Sequence, residues 1–169
     1  MELMARKGRK PIHRYRVRDS LATGALTDAT AVALDLDDSP DEPVRVSSIK
    51  ATYSMKNHTA GEGPISIGWA HNDYTVQEIK EALEADGVSF GLNNKVGLEQ
   101  ANRLVRMIGT FSGLNTEESL NDGQPIKTRL NWKLVAGATL KFWIYNESDA
   151  TLTTGSIVDI LGDLWFFEA

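Results

Sequence analysis

Residues 125–134, PIKTRLNWKL, place Ile126, Thr128, Leu130, Trp132 and Leu134 on one parity and Lys127, Arg129, Asn131 and Lys133 on the other. That alternation is the signature of a β-strand with one buried and one wet face. It recurs upstream in VRVSSIKATYSMKN (44–57), where Ile49, Ala51, Tyr53 and Met55 alternate with Lys50, Thr52, Ser54 and Lys56. After the turn GEGP (61–64), Ile65, Ile67 and Trp69 repeat it. Downstream, VAGA turns the chain into TLKFWIYN (139–146), with Leu140, Phe142 and Ile144 opposed to Lys141, Trp143 and Tyr145. TDATAVALDL (27–36) puts Thr30, Val32, Leu34 and Leu36 on one side and reads as the first strand. The closing stretch TTGSIVDILGDLWFFEA is apolar on both parities, as expected of one long or bent strand that is covered on both sides or meets a partner chain. Asn121-Asp122-Gly123 is a hairpin-type turn signal.

One segment departs from the period of two. In DYTVQEIKEALEADG (73–87), Thr75 and Glu78 have capping-box spacing, Val76, Ile79 and Leu83 recur helically, and Gly87 can close the end. A further helical turn is expected near LEQANR (98–103), before RLVRMIGTF (103–111) resumes as strand. Seven or eight strands with a helical insertion between the third and fourth predict an all-β fold, a single jelly-roll β-sandwich of about eight antiparallel strands.

The chain has 169 residues, 41% hydrophobic and 8% aromatic, enough for one domain with a core of its own. The absence of Cys excludes disulfide scaffolds, zinc ribbons and thiol catalysis. No stretch of about 18 apolar residues suits a membrane span, and no apolar run follows the charged N-terminus as a secretory signal requires. A soluble protein made in the cytosol is expected.

The formal net charge of −5 conceals a division. Residues 1–18 carry Arg6, Lys7, Arg9, Lys10, Arg14, Arg16 and Arg18 against Glu2, a net of +6; the rest carries 11 Lys+Arg against 22 Asp+Glu, a net of −11. Dense like charge with few large apolar groups does not offset its own ordering entropy, so residues 1–18 are expected to be a disordered basic arm and residues 19–169 the folded domain. Seven tethered cations can neutralise nucleic-acid phosphates without regard to base sequence, and Tyr15, less directly His13, could stack on unpaired bases. The expected nucleic-acid-binding residues are Arg6, Lys7, Arg9, Lys10, Arg14, Tyr15, Arg16 and Arg18. A solvated tail, a nuclear-localisation signal and a membrane-surface patch are the rival readings of the arm.

Catalytic chemistry has thin support. His13, His58 and His71 are far apart and lack metal-ligand spacing; His71 with Asp73 is the one base-and-orienter pair, better read as loop residues at a strand end. Gly61, Gly63 and Pro64 make a turn. Asp35, Asp37, Asp38, Asp41 and Glu42 offer oxygen ligands without EF-hand spacing, and read as a solvated turn in preference to a cation site at a subunit contact. No cofactor, metal or enzymatic activity is expected. Trp132 is expected in the core, whereas Trp143, Tyr145, Trp165, Phe166 and Phe167 cannot all face one core, so some are expected at a self-association surface. A carbohydrate-binding jelly roll using Trp143 or Trp165 as its platform is the alternative.

GPISIGWAHNDYTVQEIKEALEA (63–85), RLVRMIGTF, LNDGQPIKTRLNW (120–132) and LKFWIYNESDATLTTGSIVDILGDLWF (140–166), with the basic arm, resemble the capsid proteins of small circular single-stranded DNA viruses that encode a replication initiator. The resemblance runs from about residue 44 to the C-terminus, and covers the arm in character only. It implies a jelly roll assembled with copies of itself into a small icosahedral shell, the arm turned inward to single-stranded DNA, residence in the virion and passage through the host nucleus, and a host receptor that the motifs do not identify. The short arm and body favour the smallest closed shell, T=1, of ~60 copies.

Overall fold

The computed structural model describes residues 12–24, 26, 29–34, 44–71, 74–84, 105–134, 140–148, 150–152 and 155–168, with the backbone alone at 12–15, 31–34, 44, 84, 167 and 168. In chain order its elements are β1 (Ile12–Ala22), β2 (Ala29–Leu34), β3 (Val44–Lys56), β4 (Ile65–Ala70), α1 (Val76–Glu84), β5 (Val105–Phe111), β6 (Glu118–Ser119), β7 (Ile126–Leu134), β8 (Leu140–Asn146) and β9 (Ile157–Glu168). The two-residue β6 aside, the strands pair from the outside inward: β1 with β9, β2 with β8, β3 with β7 and β4 with β5, all antiparallel. This nested ribbon rolls into two sheets, one ordered β1-β9-β3 with β7 and β6 along the far edge of β3, the other ordered β2-β8-β4-β5. Rolling a folded ribbon into two facing sheets is the jelly-roll winding, so the predicted class is the observed one.

The core between the sheets is the set that alternation selects. Ile49, Ala51, Tyr53 and Met55 of β3, Ile65, Ile67 and Trp69 of β4, Leu130, Trp132 and Leu134 of β7, and Leu140, Phe142 and Ile144 of β8 are all buried. Trp69 meets Phe142 edge-on at 5.2 Å between centroids, and its Nε1 donates to Tyr53 Oη at 2.9 Å. β3 keeps one inner face only because it bulges: Val46 pairs with Phe166 and Trp132, but the next pairs are Ser48 with Trp165 and Arg129. The extra residue transfers the buried set from Val46 to Ile49 and the odd positions that follow. On β7, Asn131, at φ +52°, lies at the same irregularity.

α1 forms where the capping box predicts. Thr75 Oγ1 accepts the Glu78 N–H at 3.1 Å, and Glu78 Oε1 accepts the Thr75 N–H at 3.3 Å. Ile79 and Leu83 then pack with Ala70, Val105 and Trp143 as a second small core on the outer side of the β2-β8-β4-β5 sheet. This explains why β4 is buried along its whole length instead of alternately. The C-terminal Gly87 and the LEQANR turn lie outside the described residues.

Two sequence expectations are corrected. Residues 12–18, expected in a disordered arm, are the first part of β1, an eleven-residue strand in register with β9 from Ile12–Phe167 to Ala22–Ile157. Burial of Val17 and Leu21 in the main core, each worth about 1.5–3 kcal/mol, and a continuous antiparallel ladder offset the ordering cost that charge density alone suggested. Asn121-Asp122-Gly123 is a left-handed turn, with φ of +53°, +53° and +78°, yet it joins no hairpin. The strands it links, β6 and β7, both pair with β3, at Ser54–Ser119 and Ala51–Ile126.

Candidate nucleic-acid interface

The β1-β9-β3-β7 sheet turns its second face outward. Alternation places on it Arg16 and Arg18 of β1, Lys50 and Lys56 of β3, and Lys127, Arg129 and Lys133 of β7, all exposed, while the bulge adds the half-buried Arg45. The register aligns these positions in rows across the strands. One row is Arg16–Asp163–Lys50–Lys127; the next, at one side, is Arg14–Trp165–Ser48–Arg129, and at the other Arg18–Leu161–Thr52. Strands lie about 4.8 Å apart, so a four-strand row spans roughly 14 Å.

Two carboxylates interrupt this basic surface. Asp163 Oδ1 lies 3.9 Å from Arg16 Nε, and Asp159 Oδ2 3.1 Å from Lys56 Nζ. Ser20 Oγ donates to Asp159 Oδ1 at 2.5 Å; this hydrogen bond first, and the Lys56 ammonium beside it, hold the Asp159 carboxyl below its ordinary pKa and keep it ionised. Among the described residues, these are the ion pairs on the face, and Lys50, Lys127, Arg129 and Lys133 have no carboxylate partner. Arg45 Nη1 donates to Asn131 Oδ1 at 3.2 Å, a neutral partner that leaves the charge in place. Among the described side chains, a chain that is acidic overall thus presents eight cations against two carboxylates on one sheet face.

The face is also indented. One open depression of about 490 Å³ lies among Arg16, Lys50, Thr52, Pro125, Leu161, Asp163 and Trp165, and another of about 390 Å³ among Ser47, Ser48, Lys50, Lys127 and Trp165. Lys50 and the half-exposed Trp165 belong to both, so a cation and an aromatic ring stand between the two hollows.

The sequence-predicted nucleic-acid residues divide accordingly. Arg16 and Arg18 are on this face, exposed. Arg14 and Tyr15 are in β1 at the registers of Trp165 and Leu164. Arg6, Lys7, Arg9 and Lys10 lie outside the described residues, just ahead of the strand's first residue. Lys50, Lys127, Arg129 and Lys133 are not among the sequence-predicted residues, because alternation alone makes each the wet half of a strand. The available signal was their sign: the polar parity of IKTRLNWKL holds three cations, one amide and no acid.

Other candidate sites are structural. His58 is buried, its Nδ1 2.6 Å from Ser156 Oγ and its Nε2 hydrogen-bonded to the Glu62 carbonyl. His71 Nε2 is hydrogen-bonded to the Lys133 carbonyl at 2.8 Å, and its ring stands edge-on to Trp132. Asp73, His13's side chain and the acidic residues Asp35, Asp37, Asp38, Asp41 and Glu42 lie outside the described set. Among the described residues no group of three or more His, Asp or Glu could hold a metal ion, and no helix is long and apolar enough to cross a membrane. Trp143, expected as a possible sugar platform, is fully buried beneath α1 and donates from Nε1 to the Trp69 carbonyl at 3.1 Å. Gly68 makes room for its ring. That removes one of the two platforms from the carbohydrate reading.

No protein-family profile and no curated protein matches the chain. Solved structures similar to it include a Desmodium yellow mottle tymovirus chain (16% identity, 96% of this chain and 89% of that one, TM-score 0.38). Others are FLHE (11%, 94% and 98%, TM-score 0.45) and the 60-mer BFDV capsid protein (11%, 95% and 94%, TM-score 0.39). At these identities and TM-scores the likenesses assign no function to the chain.

Proposed function

We propose that the chain is the coat protein of a small virus. The sandwich associates with copies of itself into a closed icosahedral shell, in its smallest form (T=1) of ~60 subunits, and the basic N-terminal segment holds single-stranded DNA inside. The observation that carries this reading is the partition of charge on a jelly roll. The segment with Arg6, Lys7, Arg9 and Lys10 leads directly into β1, an edge strand of the sheet whose outer face is cationic, while the protein as a whole is acidic. The sequence resemblance to circular single-stranded DNA virus capsids supports the nature of the packaged polymer. Such a protein resides in the virion and, during assembly, in the host nucleus, for which a basic segment can also serve as the address. The role is structural and not enzymatic: many weak subunit contacts close together, and closure makes the whole stable.

The test is electron microscopy and size-exclusion chromatography of the purified full chain at low and high salt. Uniform hollow spheres are expected. A monomer under every condition overturns the proposal.

A further inference from the structure

We infer that the outer face of the β1-β9-β3-β7 sheet is a second binding surface for single-stranded nucleic acid, in which Lys50, Lys127 and Arg129 take backbone phosphates and Trp165 stacks a base. The inference rests on the packaging reading above and extends it from the N-terminal segment to the folded domain. Charge complementarity selects the occupant. Among the described residues Lys50, Lys127 and Arg129 have no carboxylate partner, so they attract a polyanion instead of closing on acids of their own sheet. The register places Lys50 beside Lys127 and Arg129 two residues further along β7, so their backbone positions are about 4.8 Å apart across the strands and about 6.8 Å apart along them. A flexible phosphate backbone can follow such a grid, and no base edge is read, so binding is independent of sequence.

Trp165 supplies what a grid of cations lacks. It is the partly exposed tryptophan of the molecule, Trp69, Trp132 and Trp143 being fully buried, and it walls both hollows next to Lys50. An aromatic ring beside phosphate-binding cations is the arrangement that holds single strands, whose unpaired bases have a free π-face, in preference to duplex.

The test measures affinity of the full chain for an oligodeoxythymidine over a range of salt, with tryptophan fluorescence as a second readout. For single strands the slope of log K against log salt changes by about 0.7 per phosphate contact, so Lys50→Ala/Lys127→Ala/Arg129→Ala is expected to make it shallower by about 2. Neutralising Arg6, Lys7, Arg9 and Lys10 in a separate variant is expected to make it shallower by about 3. Lys50→Arg/Lys127→Arg/Arg129→Lys should keep the parental slope, and the oligonucleotide should quench the parent's fluorescence but not that of Trp165→Phe. Lys50, Lys127 and Arg129 are exposed, and circular dichroism checks the fold of every variant. A parental slope in the triple alanine variant, with binding lost in the N-terminal variant, overturns the sheet-face site and leaves the packaging reading standing. A parental slope with an altered oligomeric state overturns it in favour of a subunit contact. Failure of the parent itself to bind at low salt overturns both.

Discussion

Gly68→Ala tests how the two cores are coupled. A Cβ placed on Gly68 would lie 2.1 Å from the Arg106 carbonyl oxygen and 2.2 Å from Trp143 Cζ2. Both neighbours are fixed: the carbonyl belongs to β5, whose pairing with β4 shifts register at this point, and the indole is fully buried and hydrogen-bonded to the Trp69 carbonyl. Relief to even 3.0 Å requires them to retreat by about 0.9 and 0.8 Å. Overpacking of a core costs about 1–3 kcal/mol, and loosening a buried hydrogen bond about 1–3 more, so a destabilisation of about 2–6 kcal/mol is expected. That is a large share of the roughly 5–15 kcal/mol that stabilises a typical domain.

Urea unfolding of the purified chain reads this directly. With an m-value near 2 kcal/mol/M, the midpoint should fall by roughly 1–3 M at unchanged m. Gly155→Ala, where nothing lies within 4 Å of the new Cβ, should stay within about 0.5 kcal/mol of the parent. In a Trp143→Leu background the ring half of the clash is gone, so Gly68→Ala should cost about 1 kcal/mol less there than in the parent. A Gly68→Ala midpoint equal to the parent's, or strict additivity with Trp143→Leu, would refute the coupling.

Thr75→Ala removes the oxygen that accepts the Glu78 N–H, and should weaken α1 by about 1 kcal/mol, seen as faster amide hydrogen exchange across Val76–Glu84 with the sheets unaffected. Tyr53→Phe leaves the buried Trp69 Nε1–H without its acceptor and should cost about 1–3 kcal/mol in the same urea assay. Burial raises the Glu147 carboxyl above its ordinary value near 4.5, with a Ser66 hydrogen bond opposing the shift. The folded protein therefore holds this proton more tightly than the unfolded chain: the contribution is complete below pH 4.5 and is lost as pH rises through the raised folded value. Glu147→Gln should abolish that decline and be more stable than the parent at neutral pH; a parallel pH profile would count against it.

Legibility followed the physics that governs each element. The strands whose one face is buried and other is wet, β3 and β7, were visible as alternation because a single period expresses a single environment. The helix was visible through Thr75 and Glu78, whose hydrogen bonds are local. β4 and β8 were harder: Ala70 and Trp143 fall on the nominally wet parity but are buried because α1 covers that face, a tertiary fact no local period encodes. β1 was missed for a different reason. His13, Tyr15, Val17 and Leu21 alternate with Arg14, Arg16, Arg18 and Ser20, a strand pattern that charge density masked. Density of like charge opposes order only while the charges face one another; β9 interposes Asp163 and Asp159, at the registers of Arg16 and Ser20.

The asymmetry between the two outer faces is the step that joins fold to function. Both sheets wind from one ribbon and need only their inner faces to make the common core. On the β2-β8-β4-β5 sheet the outer face is apolar around Trp143, and the chain covers it with the helix inserted between β4 and β5. On the other sheet the outer positions carry cations that a cover would have to desolvate, at a cost of several kcal/mol for each unpaired charge. Stability alone would be served as well by alternating acids and bases, which the 22 acidic residues beyond position 18 could have supplied. Two of those acids, Asp159 and Asp163, stand among the eight cations of this face, and the imbalance is continuous through β1 with the basic N-terminal residues. A surplus of one sign, maintained against the sign of the whole chain and lying on the sheet that the N-terminal segment enters, is the feature on which the proposed nucleic-acid contact rests.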